Sequence, residues 1–289
     1  MQIDQESEQI PFPQRPSSSI TPTPTPNDPP WTGWTAFGVW ALSVFFTYVI
    51  PNIFLVIYLI PKHVPLSDEK QLKDFIFTDE GAVLSLLAPV LLVHFFTVAI
   101  SWIVVTRFNT FSFFKTLGWK LGGFKIWHAA AIFVGFFLLA NFMVSLLGKV
   151  ETDFDKMLAG SRTAVYLVAF FATFTAPLTE EIVYRGLLYS AFQRKFGVGV
   201  AALFATLLFV AVHVPQYSSD ASPDYATIIM LLVLSAVLTL IRIRTNNLLP
   251  CIILHTLFNA LQSVFLIIEP YLQTSETPNP VAAFYRILQ

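Results

Sequence analysis

Charged side chains follow directly after a long apolar run in the middle of the chain. The run "VYLVAFFATF" leads into "TAPLTEEIVYRGLLYSAF", which contains Glu180, Glu181 and Arg185. A charge near the centre of a bilayer is costly, so such a residue is by default functional or paired inside a bundle. Glu181 and Arg185 are four residues apart on one helix face and can form an ion pair. Glu180 lies on another face with no cation four residues away, so it is the first candidate for chemistry.

Two later apolar segments each carry a histidine four residues from a second side chain. The segment "LLFVAVHVPQ" contains Phe209 and His213, and "CIILHTLFNA" contains His255 and Asn259. Four-residue spacing stacks each pair on one helix face. A lone histidine or amide in a membrane helix more often bonds to a neighbouring helix. We expect that structural role for four other polar residues: His94, His128, Asn141 and Gln262.

The depth of these groups along their helices predicts that they meet. At about 1.5 Å per residue, Glu180 lies ~22 Å from the charged connection after its helix, and His213 lies ~22 Å from the same connection. Asn259 lies ~20 Å from Asn246, near the start of its own helix, and His255 lies ~14 Å from it. Three helices therefore carry polar groups at comparable depth.

A carboxylate, two imidazoles and an amide at one depth can hydrolyse a peptide bond without a covalent intermediate. The carboxylate and a histidine can take a proton from water, and an imidazole and an amide can donate hydrogen bonds to the oxyanion that forms. Zinc is the alternative, because Glu180, His213 and His255 could hold a metal with an open position for water. The HExxH spacing is absent and Asn259 is a poor zinc ligand, so the residues favour a site without metal or cofactor.

Pro177 predicts a change in the helix just before Glu180. Proline removes a backbone donor and clashes with the carbonyl four residues earlier, which is that of Thr173, so the helix should kink there. A kink at this point would open space for water beside the Glu180 carboxylate.

Composition indicates a polytopic membrane protein. Of the 289 residues, 55% are hydrophobic and only 12% are charged, whereas a soluble domain has about 25% charged residues. The net charge of -1 gives no reason to expect a nucleic-acid partner. The single cysteine, Cys251, cannot form an internal disulfide, and we expect it to be a small buried hydrophobe.

Seven apolar segments approach the ~20 residues that a membrane-spanning helix needs. They are Trp34 to Ile60, Ala82 to Thr106, Ile126 to Leu147, a segment that starts near Thr163, Val198 to Val214, Tyr225 to Ile241 and Leu248 to Ile268. We therefore expect an all-α bundle of seven membrane helices. An eighth is expected if the loop after the first helix or the C-terminal tail enters the bilayer.

The segments divide the chain into four regions. Residues 1–33, which contain "PSSSITPTPTPNDPP", lack an apolar core and predict a disordered tail rather than a signal peptide. Residues 34–150 hold the N-terminal membrane helices, residues 163–268 a four-helix catalytic core, and residues 269–289 a C-terminal tail. Counting every Lys and Arg favours a cytoplasmic N-terminus by ten to seven, with the connections after the second, fourth and sixth helices inside.

The sequences "EEIVYR", "FVAVH" and "HTLFN", in this order within separate apolar segments, resemble the three motifs of the CPBP intramembrane protease family. That family includes the Ras-converting CAAX prenyl endopeptidases and the Abi proteins linked to bacteriocin immunity. The resemblance covers roughly Thr163 to Ile268, and the N-terminal helices match nothing specific. It implies a glutamic-type endopeptidase that uses no metal.

On this resemblance, Glu180 and His213 would activate water, while His255 and Asn259 would form the oxyanion hole. Three further residues would support the site: Glu181, Arg185 and Phe209. The expected substrate is a peptide or lipidated peptide at the bilayer, with CAAX-type processing as one form of the reaction. The alternative is a non-enzymatic membrane scaffold or immunity factor. The lack of a transit peptide and the likeness to bacterial Abi proteins predict a bacterial plasma membrane, and the sequence leaves the oligomeric state open.

Overall fold

The computed structural model describes residues 23–65, 67–219 and 222–273, with only the backbone of residues 269–273. Its helices are α1 (Gly33–Leu59), α2 (Glu69–Thr78), α3 (Glu80–Leu87), α4 (Val90–Thr106), α5 (Phe113–Leu117), α6 (Ile126–Leu147), α7 (Asp153–Ala159), α8 (Arg162–Phe170), α9 (Ala176–Glu181), α10 (Ser190–Phe196), α11 (Val198–His213), α12 (Tyr225–Thr245) and α13 (Leu249–Gln273). A 3₁₀ turn, Ile60–Lys62, follows α1, and two π-helical segments, Phe171–Thr175 and Ile182–Tyr189, flank α9. The described chain contains no β-strand, so the predicted all-α fold is confirmed.

Within the described residues, six helical stretches are long and apolar enough to cross a membrane. They are Gly33–Lys62, Glu80–Thr106, Ile126–Leu147, Arg162–Phe196, Tyr225–Thr245 and Leu249–Ile268. The remaining predicted segment, α11, has 16 residues. A helix of that length spans only ~24 Å, less than the ~30 Å hydrocarbon core. This helix is therefore too short to cross the hydrocarbon core by itself, and His213 is its last residue.

The connection after α1 adds no eighth span among the described residues. It contains α2, which has ten residues. Lys73 of α2 forms an ion pair of 2.7 Å with Asp153 of α7, so these two short helices pack on one another outside the long ones. The C-terminal tail beyond Gln273 lies outside the described residues.

The stretch Arg162–Phe196 lies at the centre of the bundle. Every residue of the second π-helical segment is buried, and Ile182, Leu187 and Leu188 pack in one cluster with Phe209 of α11. Large apolar side chains on the outer helices are instead exposed, for example Phe45, Phe95 and Leu138. This arrangement is typical of a bundle whose outer surface faces lipid.

Residues 23–32 depart from the predicted disordered tail, because buried side chains of the bundle hold them in place. The buried Arg242 donates from Nη2 to the carbonyl of Pro26 at 2.6 Å. The indole of Trp31 is also buried and donates to the carbonyl of Leu187 at 3.1 Å. A buried guanidinium needs acceptors, and this Pro-rich segment supplies backbone carbonyls. The residues before it lie outside the described part of the chain.

Candidate active site

The helix that carries the two glutamates is widened immediately before them. The first π-helical segment ends at Thr175, and Pro177 follows in the first turn of α9. The helix is thus disturbed just before Glu180, where Pro177 predicted a kink, and a π register relieves the clash that an α register would create. In that register the carbonyl of Ala172 faces the Pro177 nitrogen, which has no hydrogen to donate. A side chain from another helix supplies the donor instead.

That donor is Asn259 of α13. Its amide nitrogen lies 2.9 Å from the carbonyl oxygen of Ala172. The bond joins α13 to the first π-helical segment and satisfies the acceptor that Pro177 leaves free. Asn259 does not line the cavity described below. The structure thus gives the predicted oxyanion donor a bond to backbone, while its role in catalysis stays a prediction.

Glu181 and Arg185 form an ion pair in the interior of the bundle. Arg185 Nη1 lies 2.7 Å from Glu181 Oε1, and both side chains are 0% exposed. The guanidinium also donates to Ser235 Oγ at 2.8 Å and to Thr239 Oγ1 at 3.3 Å, and it lies over the Phe209 ring at 5.0 Å. The structure therefore places all three predicted supporting residues in one contiguous group.

His255 connects this ion pair to Glu180. Its Nδ1 lies 2.9 Å from Glu181 Oε1. A carboxylate can only accept, so Nδ1 carries the hydrogen. The other ring nitrogen, Nε2, lies 3.8 Å from Glu180 Oε2. Because His255 is buried, its ring orientation is fixed by the Glu181 contact.

His213 lies near the other oxygen of the Glu180 carboxylate. Its Nδ1 lies 2.6 Å from the carbonyl oxygen of Phe209. A carbonyl only accepts, so Nδ1 carries the hydrogen and Nε2 of the neutral ring is an acceptor. This Nε2 lies 3.9 Å from Glu180 Oε1. The distance is too long for a hydrogen bond, and a polar gap of this width is where a bridging water is expected.

Glu180 borders a cavity of about 190 Å³. The cavity lies among α1, α4, α9, the second π-helical segment and α11, and the chain continues along it past the end of α11. Its lining includes Tyr48, His94, Thr97, Glu180, Tyr184, His213 and Gln216. Glu180 is 23% exposed, in contrast to the fully buried Glu181. Of the two adjacent carboxylates, the one without a cation partner is the accessible one.

Of the polar residues that we expected to bond to a neighbouring helix, some do so and others bond within their own helix. His94 of α4 does so, because its Nδ1 lies 2.8 Å from Thr175 Oγ1 in the first π-helical segment. The expectation is wrong for His128, whose Nδ1 accepts from the backbone N–H of Lys125 at the start of the same helix. It is also wrong for Asn141, which donates to a carbonyl of its own helix.

Sequence reasoning missed that α4 borders the cavity. His94 and Thr97 are three residues apart, a spacing that places both on one helix face, but no pattern in the chain indicates which helix that face meets. Cys251 is fully buried, as expected. Among the described residues, no group of three or more His, Cys, Asp and Glu side chains is arranged to hold a metal ion. The expectation of a metal-free site stays a prediction.

The segment that carries these residues is similar to a known protein family. Residues 162–261 match the family model described as type II CAAX prenyl endopeptidase Rce1-like. The chain is 28% identical over 186 residues to an Escherichia coli protein described as "Uncharacterized 24.3 kDa protein", covering 63% of this chain and 77% of that protein. No solved structure matches significantly. Within the matched segment, two of the four predicted catalytic residues, Glu180 and His213, line the cavity. His255 does not line it, but its Nε2 lies 3.8 Å from Glu180.

Proposed function

Residues 162–261 carry an Rce1-like domain within a multi-pass membrane helix bundle, and from this premise we propose that the protein is a glutamic-type intramembrane endopeptidase. Glu180 is its general base, and His213 assists it. His255 and Asn259 stabilise the oxyanion, and the ion pair of Glu181 with Arg185 holds the site in position.

The placement of Glu180 between two histidines is the observation that carries this proposal. Its two oxygens lie 3.9 Å from His213 Nε2 and 3.8 Å from His255 Nε2. The carboxylate and the neutral His213 Nε2 are both acceptors, so they repel unless a donor lies between them. A water molecule that donates one hydrogen to each would satisfy both groups and would have its oxygen lone pair free for attack.

Hydrolysis begins with attack of this water on the scissile peptide bond. The water oxygen forms a bond to the substrate carbonyl carbon while one of its protons passes to Glu180, and the carbonyl electron pair moves onto oxygen. When the tetrahedral intermediate collapses, the C–N bond breaks. The leaving nitrogen takes the proton back from Glu180, which regenerates the carboxylate. The second water proton stays on the new carboxyl group and passes to the released amine, so the products are a new carboxylate and a new ammonium group, with no covalent enzyme intermediate.

Charge balance supports an oxyanion donor at His255. Glu180 and Glu181 together contribute two negative charges, against the single positive charge of Arg185. A protonated His255, with one N–H on Glu181, would make the group neutral and would carry its second N–H on Nε2, 3.8 Å from the Glu180 carboxylate that borders the cavity. Asn259 uses one amide hydrogen on backbone, and an amide nitrogen carries a second one. We assign that second hydrogen to the oxyanion.

The substrate would be a peptide that reaches the cavity at membrane depth. The exposed apolar surface of the helices and the placement of His213 at the end of a short helix favour a membrane-anchored or lipidated chain. A prenylated C-terminal peptide of the CAAX type is the form that the family description suggests. A bacterial plasma membrane is the proposed location.

A comparison of membrane peptides tests this function. Membranes that contain the wild-type protein or Glu180→Gln, at matched expression, are profiled by mass spectrometry for new peptide termini. Glu180→Gln preserves side-chain size and removes the base. We expect termini that depend on Glu180. If the biological activity of the protein persists undiminished in Glu180→Gln while no terminus changes, the protein is a scaffold or immunity factor instead.

A further inference from the structure

The hydroxyl of Thr97 is a buried polar group without a partner at the cavity wall. Thr97 is 3% exposed, and within the described part of the chain its Oγ1 makes no hydrogen bond. Leaving a buried hydroxyl unpaired costs free energy, because the hydrogen bond to water is lost without replacement. Such a group in a folded protein calls for a physical reason, and a ligand in the cavity would supply its partner.

The other serine and threonine hydroxyls of the cavity wall are already used. Ser43 and Thr47 of α1 donate to carbonyls of their own helix at 2.7 and 2.9 Å. Thr179 of α9 does the same at 2.8 Å. Thr97 could in principle bond back to its own helix in the same way, but it does not. Its hydroxyl is therefore the one in this set that is available to a ligand.

His94 presents the complementary group one turn earlier on α4. Its Nδ1 lies 2.8 Å from Thr175 Oγ1, and the Thr175 hydroxyl itself donates to the carbonyl of Phe171 at 3.3 Å. A hydroxyl has one hydrogen, so Thr175 accepts from His94, and Nδ1 carries the proton. The Nε2 of the neutral ring is then an acceptor. His94 and Thr97 both line the cavity that Glu180 borders.

We propose that His94 and Thr97 form a subsite that binds the main chain of an extended peptide substrate. A peptide residue presents one N–H and one C=O. The subsite offers one acceptor, His94 Nε2, for the N–H and one donor, the Thr97 hydroxyl, for the C=O. The inference rests on the proposed function. It gives α4, which lies outside residues 162–261, the task of binding substrate in the cavity that Glu180 borders.

Steady-state cleavage of a defined peptide by the purified full-length protein tests the subsite. The probe is a fluorescence-quenched peptide that ends in S-farnesyl-cysteine and three further residues, the CAAX arrangement. The variants Thr97→Val and His94→Ala remove the donor and the acceptor. Thr97→Ser and His94→Gln are conservative variants that retain them. Ser101→Ala is the matched control, because Ser101 Oγ is also buried and unpartnered on α4 but does not line the cavity.

We expect Thr97→Val and His94→Ala each to raise KM about three- to tenfold, the value of one hydrogen bond. The kcat should change less than about twofold, since the contact is present equally in ground and transition states. Thr97→Ser and His94→Gln should restore KM, and Ser101→Ala should leave it unchanged. A set of substrates in which one amide at a time is replaced by an ester, and so loses its N–H, identifies the bonded position. One of these esters should have a higher KM than the parent peptide with the wild type. For that ester, His94→Ala should not raise KM further.

The failures of the two proposals are distinguishable. If the wild type cleaves the probe, Glu180→Gln does not, and KM is unchanged in Thr97→Val and His94→Ala, the subsite is refuted and the enzyme stands. If wild type cleaves nothing, or Glu180→Gln cleaves equally well, the proposed function is refuted as well. The elution volume in size-exclusion chromatography checks that each variant is folded. If His94→Ala does not fold, the nearly isosteric Thr97→Val still tests the subsite.

Discussion

Removing the Arg185 guanidinium should destabilise the bundle far more than breaking an exposed ion pair. Arg185→Met keeps the apolar length of the side chain but deletes the bonds to Glu181, Ser235 and Thr239. It leaves the Glu181 carboxylate completely buried without its cation. Losing one partner of a buried ion pair costs about 3–5 kcal/mol. We expect a loss of that size in the free energy of unfolding, together with a loss of cleavage.

The assay is equilibrium unfolding of the purified protein in mixed micelles, monitored by tryptophan fluorescence. Lys73→Met is the matched control, because it breaks the 2.7 Å pair with Asp153, whose two side chains are 30% and 28% exposed. A pair of that kind contributes about 0–1 kcal/mol. The double variant Glu181→Gln with Arg185→Met should be more stable than Arg185→Met alone, since the unpaired charge is gone. Equal losses for Arg185→Met and Lys73→Met would refute the reasoning.

Three further predictions concern the site and the loop beside it. Asn259→Leu should lower the free energy of unfolding by about 1 kcal/mol, because a carbonyl of the first π-helical segment loses its donor. Asn141→Leu is the control, since the bond of Asn141 stays within one helix, and it should lower the free energy of unfolding by less in the same titration. Glu181→Gln should lower the thermal stability, whereas Glu180→Gln should abolish cleavage in a stable protein; the reverse pattern would exchange their roles. Burial, aided by the nearby Glu180 carboxylate, raises the pKa of Tyr217 to about 12. An unfolded tyrosine titrates near 10 and loses its proton first, so wild-type stability should fall relative to Tyr217→Phe as pH rises from about 10 to 12.

The proximity of Glu180, His213 and His255 could be predicted from sequence because it depends on regular helix geometry. Four-residue spacing fixed which side chains share a face, and the rise per residue fixed their depth. Glu181 with Arg185, and Glu180 with His213 and His255, accordingly lie where these rules indicate.

The remaining features depend on packing that no local pattern specifies. Pro177 signals a disturbed helix, but the π register emerges only in the fold, and with it the bond that Asn259 makes to Ala172. The contribution of α4 through His94 likewise depends on which helices are neighbours. Composition predicted disorder for residues 23–32, because propensity takes no account of a buried arginine such as Arg242 that requires backbone acceptors.

Cleavage of the farnesylated peptide in water enriched in ¹⁸O tests most directly the claim that Glu180 activates water for peptide hydrolysis. Purified wild type and Glu180→Gln are each mixed with peptide under single-turnover conditions, and the new C-terminal carboxylate is weighed by mass spectrometry. We predict one solvent oxygen in the wild-type product and no product from Glu180→Gln. Product formation by Glu180→Gln at the wild-type rate, or a wild-type carboxylate that contains no solvent oxygen, would contradict the account.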